Sequence, residues 1–270
     1  MVGNLLDYSR DPLGFLTRCS REYGDVVRLR FPGPPAYLIS HPDHIEQVLV
    51  KNNRNFVKDR YTRAELRILG NGLLVNDGVF WRRQRRLAQP AFHRRRVEAY
   101  GETMVSYTDR MLDGWRHGEV RDVHREMMRL YPPAWAVCRK AIEDCVIGGY
   151  HVPAETQMFI SQYVTHRDPR HFDNPETFDP DRWQDGRTND LPAYAYFPFG
   201  GGPMLCIGSS FAKMEAVLLL AAVARRFHLE PVPEHTPVPQ PSITLRPQGG
   251  VMTTFKERSK SPPEGQTIPR

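Results

Sequence analysis

The chain has 270 residues, four of them cysteine, with 37 Lys and Arg against 31 Asp and Glu for a formal net charge of +6, long enough for a substantial core in one or two domains. Its basic charge is local, in Trp81-Arg-Arg-Gln-Arg-Arg86 and His93-Arg-Arg-Arg96, and no nucleic-acid motif accompanies it, which leaves a solvated helix face or a site for an acidic cofactor or partner. Cys19, Cys138, Cys145 and Cys206 show no paired spacing, and neither a signal peptide nor a bilayer-length apolar run is present, so a reducing, cytoplasmic setting without a membrane anchor is expected.

Asp11-Pro12 opens a helix running to about Glu22, with Asp as N-cap and Pro in the first turn. Val26–Phe31 and Ala36–Ile39 read as a strand pair about Pro32-Gly-Pro-Pro35. His41-Pro42-Asp43 starts a helix with Ile45, Val48 and Leu49 on one face. Asn52–Thr62 is polar and irregular, and Asn71–Gly78 is a loop. The helix from Val79 projects Trp81 and Arg85 from one face at i, i+4. Taken alone, that pair reads as a core Trp beside a surface Arg. Gln89-Pro90 interrupts this helix. Val97–Trp115 is helical, with Val97, Tyr100, Met104, Tyr107, Met111 and Leu112 as its apolar positions.

His117-Gly118 ends that helix, and a short helical stretch leads to Arg129-Leu-Tyr-Pro-Pro133. Glu126 and Arg129 pair at i, i+3, by itself a surface ion pair worth little. Ala136–Arg139, Cys145–Ile147 and Thr156–Ile160 read as strands, with Gly148-Gly-Tyr150 as a turn, and His166–Pro175 is a polar meander. Ser242–Phe255 reads as a hairpin about Gln248-Gly-Gly250, and the Pro-, Ser- and Lys-rich tail from Arg258 as disordered. No internal repeat or linker divides the chain.

The stretch that carries chemistry is Phe199-Gly200-Gly-Gly-Pro-Met204-Leu-Cys206-Ile-Gly208, ahead of what reads as a strongly amphipathic helix from about Gly208 to Phe227. A helix N-terminus offers unpaired N–H groups and the positive end of the macrodipole, and both favour a thiolate. The glycines let the backbone approach a large flat group closely. A buried, inert cysteine in a turn is the plain reading. No Lys-Ser/Thr follows for a phosphate loop, and no second Cys or His lies at zinc-ligand spacing. A cysteine nucleophile needs a nearby His, which only spatial neighbours such as His93 or His166 can supply. A thiolate presented alone suits an axial ligand to haem iron.

Phe199-x-x-Gly202-x-Met204-x-Cys206-x-Gly208 resembles the haem-binding signature of cytochromes P450. It departs at Met204, where the family has Arg or His to pair with a haem propionate. The resemblance implies a mainly α, α+β fold, heme b (iron protoporphyrin IX) as cofactor and Cys206 as catalytic thiolate and metal ligand. Trp81, Arg85, Arg139, Phe199, Gly200 and Gly208 join Cys206 in cofactor binding. Glu126, Arg129 and Arg182 form a buried structural triad behind the thiolate loop. The implied activity is a monooxygenase inserting one oxygen atom of O2 into an apolar organic substrate. Its electrons come from a ferredoxin or reductase, and nucleic acid is not a partner. Residues 11–116 resemble the family's N-terminal part and residues 129–256 its C-terminal third, so residues 1–257 are expected to form one shortened domain. The central helix with its Ala/Gly-Gly-x-Asp/Glu-Thr motif has no counterpart in this sequence. That gives a second reading, a non-catalytic haem binder or an inactive shortened relative.

Overall fold

In the computed structural model, residues 3–65, 70–113, 120–122, 132–177 and 190–258 are described. They group into two compact units: Met1–Ala91, Tyr131–Ser209 and Pro241–Leu245 form one, and Phe92–Leu130, Ser210–Gln240 and Arg246–Arg270 the other. Helices and small sheets mix in an α+β architecture.

The first unit opens with α1 (Leu5–Arg10) and α2 (Pro12–Tyr23). The Asp11 side chain caps α2 by accepting the Gly14 N–H at 2.9 Å, and α2 buries Leu13, Phe15, Leu16 and Cys19. β1 (Val26–Leu29) and β2 (Ala36–Ile39) pair antiparallel, as the pattern predicts. Next come α3 (Pro42–Glu46) and a π turn, Gln47–Lys51, which together bury Ile45, Val48 and Leu49. The segment read as irregular contains the strand β3 (Phe56–Val57) and the helix α4 (Arg60–Glu65). Buried Phe56 and the edge position opposite another strand draw this polar stretch into the sheet, which local composition does not signal. α5 (Gly78–Ala88) follows.

Later in the chain, β5 (Val137–Ala141), a two-stranded ribbon β6 (Cys145–Ile147) and β7 (Tyr150–Val152), β8 (Gln157–Ile160) and the single turn α7 (Gln162–Thr165) complete this unit. Its five-stranded sheet has the order β1-β2-β8-β5-β3, with β2 and β8 parallel and the other pairs antiparallel. Ile39, Val48, Leu49, Phe56, Met158, Ile160 and Phe197 pack into one core cluster, and Phe15, Leu16, Val27, Leu38 and Val164 into a second.

The second unit contains α6 (Arg94–Asp113), β4 (Val120–Asp122), α8 (Ser209–Arg226) and the strands β9 (Phe227–Pro231), β10 (Val238–Gln240), β11 (Arg246–Gln248) and β12 (Met252–Glu257). Three features of this unit differ from the sequence pattern. Residues 120–122 are a strand rather than helix, because β4 pairs with β12. Ser242–Phe255 is not a hairpin. Gly249 and Gly250, both at positive φ, hand the chain from β11, which pairs with β10, to β12, which pairs with β4 and β9. The third concerns α8, which is apolar around most of its circumference rather than strongly amphipathic. It buries Ala222 and Val223 yet leaves Val217 58% exposed. On α6 the apolar stripe is only partly used, since Val97 is buried while Tyr107 is 63% exposed.

Candidate functional site

The cysteine loop is shaped by its own backbone. The Gly200 N–H donates to the Phe197 carbonyl at 2.9 Å, Leu205 N–H to Gly202 at 3.1 Å, and Cys206 N–H to Phe199 at 3.0 Å. Gly202 lies at φ +63°, and a Cβ there would stand 1.9 Å from the Leu49 carbonyl oxygen, so only glycine fits. A Cβ on Gly201 would likewise meet the Tyr194 ring at 2.3 Å. This tight folding leaves Cys206 exposed at the end of the loop, not buried as an inert cysteine would be. Phe199, Gly200 and Gly208 are half-buried around it, and Met204 closes a 3-10 turn, Gly202–Met204. Among the described residues no group of three or more His, Cys, Asp or Glu is placed to hold a metal ion.

Trp81 and Arg85 come together on one face of α5, with Trp81 only 8% exposed and the Arg85 guanidinium 5.3 Å from the centre of its ring. Arg85 donates to the Leu205 carbonyl at 2.7 Å, which ties α5 to the residue before Cys206. Arg139 stands on β5, where its guanidinium donates to the Cys138 carbonyl at 2.8 Å and burial draws its pKa down.

Sequence reasoning missed Lys58. β3 pairs with β5 so that Val57 faces Lys140, and one further step along the ladder sets Lys58 beside Arg139. The Lys58 ammonium lies 5.9 Å from the centre of the Trp81 ring and donates to the carbonyls of Leu73 and Asn76. Its burial, opposed by the nearby Asp77 carboxylate but reinforced by the Arg139 and Arg63 charges, pulls its pKa down to about 8. Asp77 is already engaged by Arg63 and by the Lys58 backbone N–H. Among the described residues, neither Lys58 nor Arg139 forms an ion pair. Buried Lys58 and half-buried Arg139, beside an indole donor and Arg85, make a ready site for an anionic group. The signal in the sequence was a lone Lys between Val57 and Asp59, next to a strand too short to recognise.

Glu126, Arg129 and Arg182, expected as a triad, lie outside the described residues. His93 is exposed, and His166 is turned to a backbone amide: its Nε2 accepts the Phe197 N–H at 2.9 Å.

The model of the family "Cytochrome P450" matches residues 1–120 and 120–255. Cyclooctatin synthase of Streptomyces melanosporofaciens is 26% identical over 425 aligned positions, covering 92% of each chain. That alignment is longer than the 270 residues present, so a stretch of the relative has no counterpart here. Human cytochrome P450 4V2 is 37% identical over 138 residues, 51% of this chain and 26% of its own. Against relatives of that kind the chain spans about a quarter of their length. Among solved structures, CYP175A1 from Thermus thermophilus superposes with a TM-score of 0.83 at 23% identity, covering 94% of this chain and 97% of that one. A six-coordinate cytochrome P450 from another strain of the same bacterium does so at 0.80 and 23%, covering 92% and 99%. With the family's model matching nearly the whole length in two abutting segments, and the cysteine loop keeping its signature apart from Met204, this chain belongs to the cytochrome P450 family.

Proposed function

We propose that the protein is a haem-thiolate monooxygenase acting on an apolar organic substrate, with electrons supplied by a separate ferredoxin or reductase. The observation that carries this reading is the exposed Cys206 thiol, held by a glycine loop whose neighbour Leu205 is bonded to Arg85 of the Trp81–Arg85 pair. The donor set fits haem. One exposed thiol is available to the metal, and Lys58, Arg85, Arg139 and the Trp81 indole N–H suit two acceptor-only carboxylates.

In this reading Cys206 is the metal ligand, and Trp81, Arg85, Lys58 and Arg139 hold the propionates. Phe199, Gly200 and Gly208 flank the bound group. When bound, haem supplies the redox and oxygen chemistry. The chain's own work is to orient the group by its two anionic arms, to neutralise those arms away from water, and to fix the sulfur at one point beside them. Met204 brings no charge to a position where the family has a basic residue, and Lys58 stands in with a buried cation. The relative named as a cyclooctat-9-en-7-ol 5-monooxygenase, 41% identical over 116 residues, is in keeping with an apolar substrate. A heme b cofactor follows from the same resemblance.

The test is to load the chain with haem, reduce it, add carbon monoxide and record the difference spectrum. A thiolate-type Soret band lost in Cys206→Ala is expected. Failure of the wild-type chain to take up haem would overturn the reading. Turnover of an apolar substrate with an electron donor then tests the monooxygenase activity itself.

A further inference from the structure

Internal hydrogen bonds give the loop from Phe197 to Cys206 its shape, but contacts from outside the loop decide where it stands. Three of these bear on its middle and end: the Leu49 carbonyl against Gly202, the Tyr194 ring against Gly201, and Arg85 on Leu205. The start is held differently. His166 Nε2 accepts the Phe197 N–H at 2.9 Å. Its ring lies 4.9 Å from Tyr196, tilted at 40°, and meets Phe197 edge-on at 5.3 Å. Those two rings fix the imidazole plane, and an Nε2 that accepts requires the ring proton on Nδ1.

What His166 is attached to gives this bond its meaning. It is the C-cap of α7, whose N-cap Ser161 directly follows β8. β8 is the ladder partner of β5, with Met158 facing Arg139. A continuous run of short contacts therefore leads from Arg139 across one strand pair, through a single helical turn, to the residue nine positions before Cys206. We propose that His166 is a positioning residue for the thiolate, setting the loop that carries Cys206 in register with the sheet that carries Arg139. The proposal rests on the haem-thiolate reading for its functional consequence but not for its geometry. The plain alternative is a histidine that fills space, for which any ring of the same size would serve.

Two substitutions separate these. His166→Phe keeps the ring and its packing but removes the acceptor, leaving the Phe197 N–H buried and unpaired. His166→Gln loses the ring but returns an oxygen near the position of Nε2. The first readout needs no haem: amide hydrogen exchange of the full chain, comparing residues 197–206 with residues 137–160. In His166→Phe the loop should exchange about tenfold faster, the scale of one lost buried hydrogen bond, while the sheet is unchanged. His166→Gln should stay close to wild type. The second readout is the carbon monoxide spectrum, in which His166→Phe should lose much of the thiolate-type band and His166→Gln should retain it. Unchanged loop exchange in His166→Phe, or equal effects of both substitutions, would overturn the proposal. A wild-type chain that takes up no haem, yet shows the exchange pattern, would instead overturn the haem-thiolate reading and leave the positioning of the loop standing.

Discussion

Lys58 keeps its charge where water is scarce, and that has a measurable sign. Its folded pKa of about 8 lies below the ordinary 10.5. Between these values the unfolded chain binds the proton and the folded chain does not, so Lys58 adds stability as pH rises from about 8 to 10.5. The shift corresponds to about 3 kcal/mol. Urea unfolding of the haem-free chain at pH 7.5 and 10 should show this gain in the wild type relative to Lys58→Met, which cannot titrate. Lys58→Met should also weaken retention of a dicarboxylate cofactor, read by haem titration. His166 runs the other way along the scale. Burial lowers its pKa to about 3 from 6.5, with a smaller push from the Arg167 charge. The unfolded chain therefore gains a proton first as pH falls through 6.5. Stability associated with His166 is complete above that value and declines toward pH 3, by a few kcal/mol. His166→Gln should flatten that acid limb in denaturation measured at pH 4 and 7. At Gly202, alanine would combine a positive φ with the clash against Leu49 and should cost about 2 kcal/mol or more, read as a lower urea midpoint.

At the scale of elements, the two long helices of the second unit differ in how fully they are used. The Phe227 and Phe255 rings meet edge-to-face at 5.8 Å beside Ala222 and Val223 of α8, and both are at most 1% exposed. Phe255→Ala should therefore cost about 3–5 kcal/mol in thermal or urea unfolding. Val217 and Leu220 on the same helix are 58% and 37% exposed. Replacing either with Lys should change stability by no more than about 0.5 kcal/mol. A helix whose sequence looks uniformly apolar thus divides into a stretch that holds the unit together and a stretch that does not. The division was hidden because the apolar residues of 216–224 repeat without a polar interval to mark a face.

For the whole molecule, the family's model matches in two segments that abut at residue 120, and the 425-position alignment exceeds the chain's length. Relatives of full length bring an interior stretch that this chain does not. Less protein around a bound cofactor means less apolar surface removed from water, and binding weakens in proportion. Haem loaded onto this chain should therefore transfer to excess apomyoglobin faster than haem from a full-length cytochrome P450 does, with the Soret change as readout. Equal rates would show that the residues of this chain alone account for retention. Among the described residues no helix is long and apolar enough to cross a membrane.

The sequence by itself determined the family, the cysteine loop, the α5 pair and most elements of the first unit. Those features depend on residues close together in the chain: Phe199 to Cys206 within one loop, Trp81 and Arg85 within one turn of helix, Asp11 capping its own helix. Tertiary structure decided the rest. Lys58 became part of the site only when β3 paired with β5 and set it beside Arg139, far along the chain. His166 became an anchor only when Phe197 came to lie across its ring. The apparent hairpin at Gly249-Gly250 separated into strands of two sheets because β10 and β9 competed for its two arms. For Lys58 and His166 the partner is remote in sequence, and local patterning carries no record of which backbone groups a strand or a buried ring will meet.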